Sequence, residues 1–252
     1  MYLSRLILNP RSREVRRDLA DCQALHARLM CAFPQVDGAK GSARAALGVL
    51  YRAESDPRSG LATVLVQSRS QPDWSRLPSG YLLQFGPDGP ENPACKEVSA
   101  AYAALGPGDV LIFRLLANPT RKIATRSGPN GERRNGQRVE LRGEEAWHQW
   151  LARKGEQGGF RVLSVRARPC SSAGDAPGEV PDARVTPRDK VVGYRDGGAE
   201  GTSQQKLTFG AVLFEGRLRI EDLARFRQVL EGGIGSGKAY GFGLLSLARA
   251  RE

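Results

Sequence analysis

The chain has 252 residues, with 38 Lys and Arg against 27 Asp and Glu, a formal net charge of +11 at pH 7. That length allows one large domain or two small ones, each able to bury a core, and the reading favours two. No apolar stretch approaches the ~18 residues of a membrane span, the N-terminus lacks the apolar run and cleavage site of a signal peptide, and the excess of cations points to an anionic partner, so a cytoplasmic protein is expected.

In chain order, "MYLSRLILNP" reads as a strand stopped by Asn-Pro. "CQALHARLMCAF" follows, with Cys22, Leu25, Leu29 and Phe33 at helical spacing. "AALGVLYRAE" and "LATVLVQSR" are two strand candidates, so the order is β-α-β-β. Residues 71–108, which contain "GPDGPENP", read as a long connection. The same plan then recurs as strand "DVLIFRLLANP", a basic stretch, helix "EEAWHQWLARKG" and strand "GFRVLSVRAR". Residues 169–187 hold too many breakers for a regular element and read as a surface excursion. Strand "KLTFGAVLFEGRLRI", helix "EDLARFRQVLEGG", a glycine loop and strand "GLLSLARA" complete the chain.

The positive charge is concentrated. From Arg114 to Arg142 there are eight basic residues against two acids, Glu132 and Glu140. Such a run is either a solvated face or a surface for a polyanion. Cys22, Cys31, Cys95 and Cys170 are widely spaced, with only His26 and His148 to assist them. That spacing argues against a zinc site and a disulfide framework, and the four read as buried free thiols. The acids are too dispersed for a two-metal nuclease, and neither metal nor cofactor is expected. Trp147 and Trp150 read as core anchors beside Leu151, and His148 as exposed with no catalytic part.

In the glycine loop, Gly232, Gly237 and Lys238 fit the G-x-x-x-x-G-K pattern of a phosphate-binding P-loop. Ala239 follows, with no hydroxyl to offer a metal, and the loop lies after a helix and before a strand, the reverse of a P-loop. Helix termination needs only one glycine, whereas six lie between Gly232 and Gly243. Gly235 and Gly237 permit close approach of another backbone, and Lys238 offers a point charge to a phosphate. His26 borders the apolar stripe of its helix. From its neighbours alone it is either a satisfied, half-buried histidine or a proton carrier titrating near neutrality.

"GIGSGKAYGFGLLSL" resembles the glycine-rich C-terminal motif of the Cas6 group of CRISPR RNA-processing endoribonucleases. "LILNPRSREVRRDLADCQALHARL", "VQSRSQPDW", "FRLLANPTRK", "WLARKGEQGGFRV" and "AVLFEGRLRI" resemble its CasE (Cse3, Cas6e) branch. The resemblance spans Tyr2 to Leu247 and is weakest over 35–59 and 169–201. It implies an α+β fold of two tandem ferredoxin-like (RRM-like, βαββαβ) domains. On this basis residues 1–92 form the first domain, carrying His26, residues 106–252 the second, and 93–105 the connection.

The resemblance also implies metal-independent cleavage of a CRISPR repeat hairpin RNA at the base of its stem, and retention of the product in the type I-E Cascade complex. The family's catalytic histidine falls on His26. Some members place a tyrosine three residues earlier, where this chain has Gln23, an amide without a titratable proton. Lys238, with Gly235 and Gly237, is the expected phosphate contact. Arg188, Lys190 and Arg195 lie where relatives carry a basic hairpin that meets the stem base. Arg121, Lys122, Arg126, Arg133, Arg134 and Arg138 suit the phosphates of an A-form stem, which is recognised largely by shape. The competing readings are a non-catalytic RNA-binding subunit of the same complex and, more remotely, an NTPase.

Overall fold

The computed structural model describes residues 1–36, 43–123, 136–166, 178–195 and 205–250. The first half contains β1 (Tyr2–Ile7), α1 (Arg13–Ala20), α2 (Cys22–Met30), α3 (Ala43–Ala46), β2 (Leu50–Ser55), β3 (Ala62–Ser68), β4 (Ala94–Glu97) and α4 (Ser99–Ala103). Its strands form an antiparallel sheet in the order β2-β3-β1-β4. That is the ferredoxin-like order, in which each outer strand is reached by a crossover and each helix covers the same face. Leu25 and Leu29, four apart on α2, bury themselves against Leu6, Val64 and Val66 of this sheet. Burial of such a side chain contributes about 1.5–3 kcal/mol.

Three local readings need correction. Helix α1 was not expected: Ser12 caps it by accepting from Val15 N at 3.3 Å, a short-range signal that the charged run "REVRRDLA" obscures. "AALGVLYRAE" begins as the short α3, and its strand starts only at Leu50. The stretch 93–105, expected as a connection, supplies β4 to the edge of the first sheet. Between β3 and β4 the described backbone has only a 3-10 turn, Trp74–Arg76, in place of a second crossover helix. Trp74 fixes that segment, packing on Phe33 and donating to Ser4 Oγ at 3.0 Å.

The second half contains β5 (Val110–Ala117), β6 (Thr120–Lys122), β7 (Arg138–Glu140), α5 (Glu144–Gly158), β8 (Phe160–Val162), β9 (Ser164–Arg166) and β10 (Glu179–Pro181). β11 (Ala183–Arg195), β12 (Gln205–Ile220), α6 (Leu223–Gly232) and β13 (Leu245–Arg249) follow. The main sheet has the order β11-β12-β5-β13, the same arrangement as the first, with β8 beside the end of β12. Strand β5 alternates as its sequence predicts: Leu111, Phe113, Leu115 and Ala117 are buried. Asp222 caps α6 by accepting from Arg225 N at 3.0 Å, and Phe226 and Leu230 face the core.

The reading of 169–187 as irregular is corrected for its C-terminal part, where β10 and the start of β11 are regular strands. β11 is an edge strand, and an edge tolerates Pro187 because only one side of it must pair. The long β12 supplies the ladder that breaker-rich sequence conceals. The cysteines also divide: Cys22 is buried, Cys31 and Cys95 are exposed, and all three are free. Cys31 follows the end of α2, and Cys95 lies on an edge strand. Cys170 lies outside the described residues. Trp150 is a core residue as expected, and Trp147 is part-buried, donating to Leu141 O at 2.8 Å. His148 is not exposed. Its side chain is 18% accessible and stands 3.6 Å from Glu144, one turn earlier on α5.

Buried polar groups join the two sheets. Arg52, 4% exposed, reaches from β2 to Arg114 O at 3.3 Å, Leu244 O at 3.4 Å and Ser246 Oγ at 3.0 Å. Gln67 donates from β3 to Leu230 O at 2.8 Å and accepts from Tyr102 at 3.0 Å. Such bonds are directional, and removing one partner leaves the other buried and unpaired at a cost of about 1–3 kcal/mol.

Candidate active site and nucleic-acid interface

Helix α2 is held at both flanks by carboxylates. Asp18, 1% exposed, accepts from Arg28 Nε at 2.8 Å, Arg17 Nη2 at 3.0 Å and the Tyr81 hydroxyl at 3.1 Å. Asp21 caps the helix by accepting from Gln23 N at 2.9 Å, and also takes Tyr194 N of β11 at 3.2 Å. The far end of β11, from the second sheet, is thereby docked on the start of the first domain's α2. The Cys22 thiol beneath it is pushed up to about 11, first by burial and then by Asp21.

His26 stands on the next turn of α2. It is half-buried, and its ring lies nearly parallel to that of Tyr51, with centroids 6.3 Å apart and planes 12° apart. Its Nδ1 is buried with no hydrogen-bond partner among the described residues. Burial, and then the positive charge of Arg44, hold the imidazole below its ordinary value of 6.5. It is therefore predominantly neutral at pH 7 and able to take up a proton.

Tyr51 is 1% exposed and donates to Ala239 O at 3.0 Å, with Cys22 O a second acceptor at 3.4 Å. Burial raises its hydroxyl well above the ordinary tyrosine range, so it keeps its proton. It fixes the glycine loop against α2 and does not replace the titrating tyrosine that Gln23 displaces. Lys238, on the 3-10 turn Lys238–Tyr240, packs near α2 and donates to Gly232 O at 2.6 Å. Burial, then Arg44 and Lys154, lower its basicity. Arg44 itself donates to Val49 O at 2.9 Å. It acts on both His26 and Lys238, and so marks the place where the two domains' cations converge.

The glycine loop connects α6 to β13, so it meets the C-terminal end of a helix. A P-loop places phosphate at an N-terminal end, where the dipole is positive, and the match to that motif is a coincidence of spacing. Gly235 and Gly237 have φ of +84° and +74°. A Cβ would stand 3.0 Å from the Trp150 ring at the first and 2.9 Å from the Phe242 ring at the second. Left-handed backbone together with close ring packing favours glycine at both positions, with no phosphate required.

The remaining expected contacts fall into separate groups. Arg195 donates to the Tyr240 hydroxyl at 3.3 Å, beside Lys238 in sequence and close to the start of α2. Arg188 and Lys190 line a cleft of about 590 Å3 between the sheets, with Cys22, Tyr51, Arg114 and Tyr240. Arg121 and Lys122 are exposed on β6, and Arg138 on β7. That hairpin touches the glycine loop, where Thr120 Oγ1 and Ser236 Oγ are 3.3 Å apart. Arg126, Arg133 and Arg134 lie outside the described residues. Among the described residues, no group of three or more His, Cys, Asp or Glu is placed to hold a metal ion, and no helix is long and apolar enough to cross a membrane.

Sequence reasoning missed Arg44, Tyr51, Arg153 and Lys154. The last two had a detectable signal: Arg153 and Lys154 lie three and four residues after Trp150, and so share the side of α5 that the loop covers.

Two sheets of ferredoxin-like order, locked by buried polar contacts and meeting where Arg44 acts on both His26 and Lys238, define a tandem ferredoxin-like protein with a basic, histidine-bearing site. The chain belongs to the CRISPR associated protein family, whose model matches residues 1–249. It is 38% identical over 250 residues to the CRISPR-associated endoribonuclease Cse3 of Thermus thermophilus, covering 98% of this chain and 100% of that protein. The solved structure of Thermus thermophilus Cse3 bound to an RNA representing a pre-cleavage complex matches with a TM-score of 0.67 and 34% identity, over 98% of each chain. A chain of a CRISPR RNA-guided surveillance complex in a pre-nicking state matches with a TM-score of 0.63 and 26% identity, over 99% of this chain and 100% of that one.

Proposed function

We propose that this chain is an endoribonuclease that cleaves CRISPR repeat hairpin RNA at the base of its stem, without a metal ion. The 2′-hydroxyl attacks the adjacent phosphorus, a 2′-O–P bond forms, and the P–O5′ bond breaks. The 2′ proton leaves to a base and the departing O5′ takes one up, giving a 2′,3′-cyclic phosphate and a 5′-hydroxyl. The RNA carries its own nucleophile, so the protein need supply only alignment, charge stabilisation and proton transfer.

The observation that carries this reading is His26, a half-buried imidazole stacked on Tyr51 whose proton affinity is lowered by burial and by Arg44. The neutral form suits removal of the 2′ proton, and the resulting imidazolium suits return of a proton to O5′. Arg44, whose charge acts on His26, supplies positive charge for the pentavalent phosphorane, and Lys238 contacts an RNA phosphate. Gln23, one turn before His26, offers an amide to a phosphate oxygen or ribose hydroxyl. Arg121, Lys122 and Arg138 grip stem phosphates, and Arg126, Arg133 and Arg134 continue the same run. Gly235 and Gly237 shape the loop that presents Lys238, while Arg188, Lys190 and Arg195 receive the base of the stem. The likeness to a surveillance-complex subunit supports retention of the product in such an assembly, in the cytoplasm.

The test is to incubate the protein with hairpin repeat RNA in excess EDTA, beside His26→Ala and an RNA bearing one 2′-deoxy nucleotide at the cut. Cleavage by the wild type, abolished by either change, is expected. Tight binding without cleavage supports the second reading, favoured by Gln23, of an RNA-holding subunit with a retired active site.

A further inference from the structure

A second cavity, of about 250 Å3, lies between α5, the β6–β7 hairpin and the glycine loop. Arg138, Arg153, Lys154 and Lys238 all line it, and no carboxylate does. None of these four forms an ion pair among the described residues, whereas Arg28, Arg114, Arg161 and Arg217 are each matched to an acid. Three of the cations are held by neutral partners instead. Lys154 Nζ donates to Gln157 Oε1 at 2.9 Å, and Arg138 Nη1 to Thr120 Oγ1 at 3.4 Å. Lys238 is seated on Gly232 O, where its ammonium offsets the negative end of the α6 dipole, which would otherwise repel an anion.

Four like charges around one concavity repel each other until a counter-anion enters. Lys154 registers this: burial, then Arg153 and Arg138, lower its basicity. The volume is several times the ~30 Å3 share of one water in the liquid, and so fits a phosphate with part of its sugar. His26 does not line the cavity.

We propose that this cavity is a phosphate-binding site for one backbone phosphodiester of the bound RNA, distinct from the scissile linkage, which sets the register of the strand against His26. The inference rests on the RNA-processing reading above and adds Arg153 and Lys154 to it as register-setting contacts.

The test pairs Arg153→Gln/Lys154→Met with the charge-keeping Arg153→Lys/Lys154→Arg, all in the His26→Ala background so that RNA stays intact. Hairpin RNAs carry one neutral methylphosphonate linkage at each position in turn. One non-scissile linkage should weaken binding about ten-fold in the parent and in the charge-keeping protein, yet have no further effect in the neutralised one. The neutralised protein should also show a salt slope smaller by about one. A second arm follows the unfolding midpoint with inorganic pyrophosphate, which should stabilise the parent and not the neutralised protein.

If every linkage costs the same in all three proteins, the RNA phosphodiester is overturned. Pyrophosphate stabilisation in that case assigns the cavity to a free anion. No pyrophosphate effect together with no linkage coupling overturns the site itself. Wild-type cleavage alongside either of those results leaves the proposed function standing. A wild type that neither binds nor cuts the hairpin overturns that function and the RNA occupant together, while the pyrophosphate arm still reads the cavity.

Discussion

The two domains share one strand order but not one chemistry. In the first, the sheet β2-β3-β1-β4 carries α2 and its single titrating ring, His26. In the second, β11-β12-β5-β13 carries Arg121, Lys122, Arg138, Arg153 and Lys154 on a hairpin and a helix at its margin. A proton carrier must change charge near neutrality, which requires partial burial and a tuned neighbour. A grip on polyanions requires groups that stay charged, which favours solvent. Keeping these demands in different domains leaves the difficulty at the seam, where Arg52, Gln67 and Tyr51 join the halves through buried hydrogen bonds.

The sharpest way to break this division is His26→Ala. Single-turnover cleavage should fall about 10²–10⁴-fold while hairpin RNA affinity stays within about two-fold; an equal loss of both would show that the roles are not divided. Cleavage by the wild type should rise with pH and level off, with a midpoint below 6.5, because burial and Arg44 favour the neutral ring. The same depression links folding to pH. The unfolded chain binds this proton more readily, so stability is full above pH 6.5 and declines as pH falls through the lowered value. His26→Gln should flatten that decline in urea melts.

Next in size is Asp18→Ala, which strands Arg28 and Tyr81 and should cost about 3–5 kcal/mol in denaturant unfolding. Arg52→Ala attacks the seam itself. A loss of about 2–4 kcal/mol is expected, with cleavage falling more than RNA binding, since each domain keeps its own groups. Tyr51→Phe should cost about 1 kcal/mol and leave the midpoint of the pH–rate profile unmoved; a moved midpoint would make Tyr51 a proton carrier. Smallest is Arg121→Ala, expected to lower the salt slope by about one and affinity by less than ten-fold, with cleavage of bound RNA unchanged.

Much of the fold was legible because its signals are local. The alternation of Leu111, Phe113, Leu115 and Ala117 marks a strand, the spacing of Leu25 and Leu29 marks a helix, and the recurrence of β-α-β-β marks two similar units. Local signals failed where a distant partner decided the outcome. β11 persists through Pro187 because β12 lies beside it, and β4 joins the first sheet because β1 offers it an edge.

The site divides in the same way. Family resemblance pointed to His26 through motifs spread along the chain, whereas its neighbours in sequence left it indistinguishable from a core histidine. By itself the sequence determined the periodicities, the basic balance and the family. Tertiary structure alone decided that Arg44 and Tyr51 converge on His26, and that Arg138, Arg153, Lys154 and Lys238 share one cavity without an acid. Periodicity is a property of a few consecutive residues. Electrostatic coupling depends on distance through space, and the crossovers of the two sheets set that distance.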